Sequence, residues 1–238
     1  MDWRFSFASR IEEAFDEGGL PRIAKLACRK LISSWIEYGS VEFFCRSLER
    51  PVPICVPDID ISIRQADSSD IGLILEAYDS SRFEDKILKR FDQGDRCFVA
   101  TDRRGHGVHA SWVTTQIARV TELNLILSVA TGEAYIYDVY TRRAMRRCRI
   151  DSAVRSFTYR RLREAGLHKV FLYVRGDNHA GLRAAERWLN SAGKVSYCRS
   201  SRSGQIIFPR YDLQVPSFQE VLAKIQPSEL KTSLLRVR

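Results

Sequence analysis

Apolar and polar residues follow two different spacings along this chain, and each spacing predicts its own element. Apolar residues at every second position are typical of β-strands, and apolar residues three or four positions apart are typical of amphipathic helices. The first spacing predicts strands at residues 61–64, 96–101, 108–115, 123–130, 133–141, 169–174, 194–200 and 205–211. The second predicts helices at residues 5–15, 20–35, 83–91, 150–165, 179–189 and 215–225. This order predicts a mixed sheet with helices on both faces, an α+β or mixed α/β fold.

Capping residues and prolines mark the boundaries of these elements. Residues 66–70 (Ala-Asp-Ser-Ser-Asp) supply N-cap side chains for a further helix that ends at Tyr78. Pro51, Pro53 and Pro57 interrupt regular structure and indicate a linker. The chain is therefore predicted to have three parts: a helical N-terminal extension and linker at residues 1–56, a main domain at residues 57–213, and a C-terminal helix with a basic tail at residues 214–238.

The composition is that of an ordinary globular protein with a basic surface. Apolar residues make up 45% of the 238 residues and charged residues 28%, and the net charge is +9. A basic surface favours polyanionic partners such as nucleic acid, anionic lipid, a nucleotide cofactor or an acidic carrier protein. No nucleic-acid-binding motif accompanies the charge, so a nucleic-acid partner is not expected.

Several other classes of protein are not expected either. The sequence contains no run of about 18 apolar residues, so no membrane span is expected. Acidic residues stand where a signal peptide would have its apolar core, and we expect a cytoplasmic protein, either a monomer or a homodimer. The six cysteines form no CxxC pair and the four histidines lack ligand spacing, so we expect reduced thiols and no metal site.

Residues 133–178 form one unit: an apolar strand, an arginine-dense turn, a helix and a second strand. The turn contains RRAMRRCR at residues 142–149 and opens the helix, which Gly166 ends. Backbone N–H groups at a helix N-terminus, together with the helix dipole, form a site for phosphate groups. The unit therefore predicts a phosphate-bearing ligand at this turn, and the alternative is a solvated charged face.

The order of elements and residues 132–193 resemble the GNAT superfamily of acyl-coenzyme A-dependent N-acyltransferases, and the resemblance covers roughly residues 61–211. Members have an apolar strand, then V-x-P, then Arg-Gly-x-Gly-Ile-Gly opening a helix. Residues 140–143 stand at the first motif and residues 146–151 at the second. The three glycine places are therefore occupied by Arg147, Arg149 and Asp151. Val174, Asn178 and Gly181 stand where the family usually has its later motif, V-x-x-x-N-x-x-S/A.

The resemblance implies a splayed mixed sheet flanked by helices, in which strands 133–141 and 169–174 run parallel and diverge at their C-terminal ends. It implies acetyl-CoA or another acyl-CoA as the acyl donor, with its pyrophosphate at the arginine turn. In place of the glycines, arginine side chains are available to bind phosphate directly. Asn178 is expected to contact a pantetheine amide, or else to act as a helix N-cap. The residues expected to bind the cofactor are Val139, Tyr140, Thr141, Arg146, Arg147, Cys148, Arg149, Ile150, Asp151, Asn178 and Gly181.

Acyl transfer to an amine needs a base for the ammonium proton and an acid for the leaving thiolate. Tyr135 stands where the family often has a glutamate base, and Ala185 stands where it has a tyrosine acid. Glu133 lies two residues before Tyr135, on the same strand face. Asp138 is expected on the opposite strand face, as the partner of an arginine. The catalytic candidates are Glu133, Tyr135 and Tyr137, with Tyr140 and Tyr173 as further hydroxyls and aromatic packing as their alternative role.

Three functions are open at this point. The leading hypothesis is an enzyme that transfers an acyl group, in the first place acetyl, from coenzyme A to an amine of a small molecule, an amino sugar or an amino acid. The second is an acyltransferase that uses acyl groups on an acidic carrier protein, as the basic turn indicates. The third is a non-catalytic GNAT-fold module that binds a ligand, as the missing glycines and the missing tyrosine indicate.

Overall fold

The structure is a computed structural model that describes residues 36–123, 125–200 and 206–212. The helices predicted at residues 5–15, 20–35 and 215–225 and the basic tail lie outside the described residues. Contacts divide the chain into a larger unit, residues 40–195 with 211–238, and a smaller unit, residues 1–39 with 196–210. None of the helices in the described part of the chain has the length and apolarity needed to span a bilayer.

The described elements follow the predicted order closely. The helices are α1 (Ile71–Tyr78), α2 (Glu84–Asp92), α3 (Ile150–Glu164) and α4 (His179–Glu186). Short 3-10 turns occupy Ser68–Asp70, Ser81–Phe83, Thr121–Leu123 and Arg143–Met145. The strands are β1 (Ile36–Ser47), β2 (Ile61–Ala66), β3 (Arg96–Asp102), β4 (Gly107–Thr114), β5 (Ile117–Val120), β6 (Leu125–Ser128), β7 (Glu133–Thr141), β8 (Lys169–Arg175), β9 (Asn190–Ser200) and β10 (Ile206–Asp212).

The main sheet is mixed, as predicted. In the larger unit the strand order is β1-β8-β7-β4-β3-β2. The β7–β8 pair is parallel, whereas β1–β8, β4–β7, β3–β4 and β2–β3 are antiparallel. In the smaller unit the order is β10-β9-β1, which confirms the predicted pairing of β9 with β10. β5 and β6 form a separate antiparallel pair.

Helices cover both faces of the sheet. Successive strand residues point to opposite faces, so each face can present its own apolar side chains to a helix. On β3, Phe98 packs into one apolar cluster with residues of α3 and α4, including Val154 and Ala185. The next residue, Val99, packs into a second cluster with residues of α1 and α2, including Ile74. The predicted arrangement of helices on both faces is confirmed.

The sequence did not predict two of these strands, β1 and β5. Residues 36–47 belong to the range that was assigned to a helical extension and linker, but they form β1 and pair with β8. On β1, Val41, Phe43 and Phe44 are all buried. A strand that is covered on both faces has no simple alternation of apolar and polar residues, which explains why its pattern was missed. The single strand predicted at residues 123–130 is β6, whose partner β5 is too short to show a period.

Candidate functional site

β7 and β8 separate part of the way along their length. They pair at Glu133 with Lys169, at Ala134 with Val170 and at Tyr135 with Phe171, and no later pair joins these two described strands. Beyond this point β7 stays paired with β4, and β8 stays paired with β1. The two parallel strands therefore open a wedge at their C-terminal ends, as the sequence predicted.

A β-bulge lies in β7 just beyond the last β7–β8 pair. Tyr137 pairs with Trp112 and Tyr140 pairs with Ala110, so three steps along β7 match two steps along β4. Asp138 takes up the extra residue with a left-handed backbone, φ 49°. A bulge of this kind leaves a residue outside the ladder and bends the strand. The backbone oxygen of Asp138 accepts a hydrogen bond from the Tyr78 hydroxyl at 3.3 Å, so the bulge is tied to α1.

The bulge also reverses the predicted orientation of Asp138. The Asp138 carboxylate forms an ion pair with Arg90 of α2. The Arg90 guanidinium lies 4.8 Å from the centre of the Tyr137 ring, so Asp138 and Tyr137 lie on the same sheet face. The prediction of opposite faces was wrong because it assumed strict alternation, which fails at a bulge. The prediction of an arginine partner is confirmed.

The turn between β7 and α3 contains two arginines in a backbone conformation that glycine adopts more readily. Arg147 and Arg149 have left-handed φ values of 71° and 55°, and they occupy two of the three glycine places of the motif. Asp151, at the third place, lies in the first turn of α3. Arg149 is the N-cap residue of α3 but makes no capping hydrogen bond through its side chain. The first N–H groups of α3 therefore remain available to an anion.

The arginine side chains of this turn are held in different ways. Arg149 forms an ion pair with Asp58 at 2.6 Å. Arg146 donates from Nε to the backbone oxygen of Thr141 at 3.1 Å, and its guanidinium lies 5.4 Å from the centre of the Tyr140 ring. Arg147 is exposed to solvent. Positive charge is thus concentrated around the uncapped helix N-terminus.

A buried polar network lies beneath the turn. Asp151 accepts a hydrogen bond from Arg155 at 2.8 Å, within the first turns of α3. Burial alone would raise the pKa of Asp151, but Arg155 and His109 lower it below its usual value. His109 is fully buried and shares a hydrogen bond with Thr141 at 2.8 Å. The carboxylate of Asp151 is therefore neutralised by Arg155, which limits its repulsion of a phosphate at the turn.

The structure gives Asn178 the helix-capping role that the sequence allowed. Its side-chain oxygen accepts a hydrogen bond from the Gly181 N–H at 3.0 Å and so caps α4. A Cβ at Gly181 would lie 2.6 Å from the Asn178 amide nitrogen and 2.9 Å from a methyl of Val174, which accounts for glycine there. The other face of the Asn178 amide is exposed, and its contact with a cofactor remains a prediction.

The remaining cofactor candidates surround the same turn. Val139 is partly buried against the core under α3, and Ile150 is fully inside that core, so only its backbone can face a ligand. Cys148 is half-buried, and its Sγ donates weakly to the backbone oxygen of Arg146 at 3.7 Å. These positions lie along the path from the wedge to the start of α3.

The three catalytic candidates occupy different environments on one face of β7. The Glu133 carboxylate lies 3.2 Å from the Lys169 ammonium, at the first β7–β8 pair and away from the wedge. Tyr135 is 3% exposed, and burial raises its pKa well above the usual value. Tyr137 donates from its hydroxyl to the Asp95 carboxylate at 2.5 Å, and burial together with this bond raises its pKa.

Two carboxylates at the wedge were missed by the sequence. Asp95 bonds Tyr137, and Glu122 accepts a hydrogen bond from the Tyr173 hydroxyl at 2.5 Å. The Tyr135 ring lies between the other two, 5.7 Å from the Tyr137 ring and 6.3 Å from the Tyr173 ring. Asp95 lies in a turn and Glu122 in a loop between short strands, so neither carries a local signal of its contact.

Comparison with known proteins identifies the fold. No protein-family model matches the sequence, and no curated protein is a significant match. A GCN5-related N-acetyltransferase from Sphaerobacter thermophilus is similar over 75% of this chain and 57% of its own, with a TM-score of 0.54 and 18% identity. The ribosomal-protein-S18-alanine N-acetyltransferase from Escherichia coli matches 54% of this chain and 76% of its own, with a TM-score of 0.41 and 16% identity.

The chain therefore has the fold of the GCN5-related N-acetyltransferases, the GNAT fold, which confirms the fold class predicted from the sequence. This chain spans less than two thirds of the Sphaerobacter structure, 57% of its length. At 18% identity the likeness concerns the fold, because one fold supports many activities.

Proposed function

We propose that this chain is an acyl-CoA-dependent N-acyltransferase that transfers an acetyl or other acyl group to an amine of a small molecule, an amino sugar or an amino acid. One observation carries the proposal: the wedge between β7 and β8 leads directly to the uncapped N-terminus of α3. An extended chain with amide groups fits the wedge, and a pyrophosphate fits the N-terminus of α3. Coenzyme A carries both in one molecule.

The residues of the turn fit the pyrophosphate of such a donor. Left-handed residues at Arg147 and Arg149 turn the backbone into α3, so that successive N–H groups face outward together. The guanidinium groups of Arg146 and Arg147 add charged donors beside them. Val139, Tyr140 and Thr141 lie on the β7 edge that leads to the turn, where they would line the path of the pantetheine chain.

Bound acyl-CoA would supply a thioester, whose carbonyl carbon accepts the amine nitrogen. The chain has to take a proton from the ammonium form of the acceptor and hold the amine beside that carbon. Carboxylates and tyrosine hydroxyls at the wedge, including Tyr137 with Asp95, are available for proton transfer. The Sphaerobacter structure of the same fold is named as an N-acetyltransferase, which supports this assignment for the present chain.

Calorimetric titration of the full chain with acetyl-CoA, longer acyl-CoAs and acyl carrier protein tests the donor. Thiol release with putrescine, lysine and glucosamine as separate acceptors then tests transfer. We expect binding of an acyl-CoA and thiol release that depends on the amine. Binding without release for any pair would favour a ligand-binding module, and response to the carrier protein alone would favour the carrier-dependent enzyme.

A further inference from the structure

Tyr173 and Glu122 form a hydrogen-bonded pair at the β8 side of the wedge. Tyr173 lies on β8 two residues beyond Phe171, where the pairing with β7 ends. Glu122 lies in the 3-10 turn between β5 and β6. The Tyr173 hydroxyl donates to the Glu122 carboxylate at 2.5 Å, although the two residues are 51 positions apart in the sequence.

The surroundings fix the Tyr173 ring but leave the pair accessible. The ring lies 6.0 Å from the Phe43 ring of β1 and 6.3 Å from the Tyr135 ring of β7. The hydrogen bond to Glu122 fixes the direction of the Tyr173 hydroxyl. Both Tyr173 and Glu122 are only half-buried. The hydroxyl is therefore held in one place at the mouth of the wedge.

The other candidates for proton transfer are less suitable. Ala185, at the place of the family's tyrosine acid, is fully buried in the core and has no polar group. Glu133 is bonded to Lys169 at the opposite end of the β7–β8 ladder. Tyr137 has its ring covered by Arg90, whose guanidinium is 4.8 Å from the ring centre. Like the Tyr137–Asp95 pair, the Tyr173–Glu122 pair combines a carboxylate and a hydroxyl at the wedge, but the Tyr173 ring packs against the Phe43 and Tyr135 rings whereas the Tyr137 ring is covered by the Arg90 cation.

We propose that Glu122 is the general base and Tyr173 the proton carrier to the leaving sulfur in acyl transfer by this chain. The proposal rests on the proposed function and names the residues that perform its chemistry. It replaces the acid missing at Ala185 by a residue from a different element.

Acyl transfer moves one proton of the acceptor amine through Glu122 and Tyr173 to sulfur and a second proton to solvent. The bound acceptor, R–NH₃⁺, gives one proton to a carboxylate oxygen of Glu122, directly or through water. The nitrogen lone pair then forms the C–N bond to the thioester carbon, and the C–S bond breaks with its electron pair on sulfur. Glu122 passes its proton to the Tyr173 oxygen while Tyr173 gives its own proton to sulfur. The second proton lost by nitrogen goes to solvent, and the products are amide and free thiol.

The pairing explains how a weakly acidic phenol can serve this step. Burial, followed by the hydrogen bond to Glu122, raises the pKa of Tyr173, so the phenol alone would be a poor acid. As a carrier it receives a proton from the carboxylic acid at the moment that it gives one away, so no free phenolate forms. The other titratable groups at this face include Tyr78, Tyr135, Tyr137 with Asp95, Asp138 with Arg90 and Lys86, and Glu133 with Lys169.

The test compares Tyr173→Phe and Glu122→Gln in the full chain with the wild type, using acetyl-CoA and whichever of putrescine, lysine and glucosamine is acetylated. At pH 7 each variant should lose about 100- to 10,000-fold in kcat/KM, the usual contribution of general acid–base catalysis. The loss in Glu122→Gln should narrow as pH rises through the pKa of the acceptor amine, because the amine then needs no base. Glu164→Gln, which removes an exposed carboxylate at the end of α3, is the matched control and should keep wild-type kinetics.

Two measurements separate catalysis from structure. Coenzyme A affinity by calorimetry should stay within about twofold of the wild type in both variants, since neither residue belongs to the arginine turn. In an ultraviolet titration of tyrosine ionisation, one tyrosine of Glu122→Gln should ionise at lower pH than in the wild type. The double variant, Glu122→Gln with Tyr173→Phe, should not show this change. A rate loss that is equal at every pH, or no loss, would overturn the assignment. A wild-type chain that transfers nothing would instead remove the proposed function and this assignment with it.

Discussion

Arg147 and Arg149 share a left-handed backbone conformation, one residue apart, at the entrance to α3. L-residues other than glycine adopt this conformation at a cost of roughly 1–2 kcal/mol each, chiefly because Cβ approaches the neighbouring carbonyl. Both residues stand where the GNAT superfamily, which the sequence resembles, has glycine. The two left-handed residues therefore place two guanidinium groups at the entrance to α3.

Arg147→Gly should stabilise the chain. Glycine relieves the left-handed strain, and the gain is partly offset by about 0.4–1 kcal/mol because glycine makes the unfolded chain more flexible. The free energy of unfolding in urea should rise by roughly 0.5–1 kcal/mol. Arg143→Gly, in the same turn but without a positive φ, is the control and should lower it by roughly 0.5–1 kcal/mol. If Arg147→Gly lowers the free energy of unfolding as much as Arg143→Gly does, the backbone at Arg147 is not strained.

The double change Arg146→Ala and Arg147→Ala should weaken coenzyme A binding by about 1–3 kcal/mol, the usual worth of charged hydrogen bonds. Wild-type affinity should also fall with added salt, and the double variant should show a smaller fall. Isothermal titration calorimetry at two salt concentrations measures both effects.

Arg103→Ala with Arg104→Ala is the matched control for that experiment. These two adjacent arginines lie exposed in the β3–β4 turn, so the same net charge is removed elsewhere. If both double variants bind coenzyme A equally weakly, the loss of affinity is caused by the change in overall charge. If neither differs from the wild type, the pyrophosphate binds outside the arginine turn.

The sequence predicted those parts of the site that depend on local pattern. β7, the turn and α3 follow from alternation, an arginine run and helical spacing, and their observed limits differ from the predicted ones by a residue at most. The bulge at Asp138 was not predictable in this way, because it arises from a register shift against β4. Contacts across long sequence separations, such as Tyr173 with Glu122, depend on how distant strands are placed. For the same reason the ion pair of Glu133 with Lys169 emerged only from the parallel pairing of their strands.

Glu133→Gln separates the two candidate bases. The Glu133 carboxylate and the Lys169 ammonium are 12% and 21% exposed, so loss of the charge should lower the free energy of unfolding by about 1–3 kcal/mol. We expect the shape of the pH–rate profile to remain that of the wild type, in contrast to Glu122→Gln. Chemical denaturation and steady-state kinetics across pH measure the two effects. A rate that recovers at high pH in Glu133→Gln would return the role of base to Glu133, as the sequence first indicated.

His109 should make the fold sensitive to mild acid. Burial lowers the pKa of His109 to about 4, whereas an unfolded histidine has a pKa of about 6.5. The unfolded state therefore binds a proton first as pH falls, and stability that is fully present above pH 6.5 is lost between about 6.5 and 4. The loss amounts to at most about 3 kcal/mol. The neighbouring Asp151 and Arg155 keep their charges across this range, because the pKa of Asp151 is lowered and that of Arg155 raised.

Urea unfolding of the wild type and of His109→Gln between pH 7 and pH 4 measures this dependence. The variant starts from a lower stability, since it disturbs a buried site, but the slope of stability against pH should be shallower than in the wild type. His106→Gln, which replaces a half-exposed histidine in the β3–β4 turn, is the matched histidine-to-glutamine control. Parallel slopes in the wild type and His109→Gln would mean that His109 takes up its proton over the same pH range in the folded and unfolded states, so that burial does not lower its pKa.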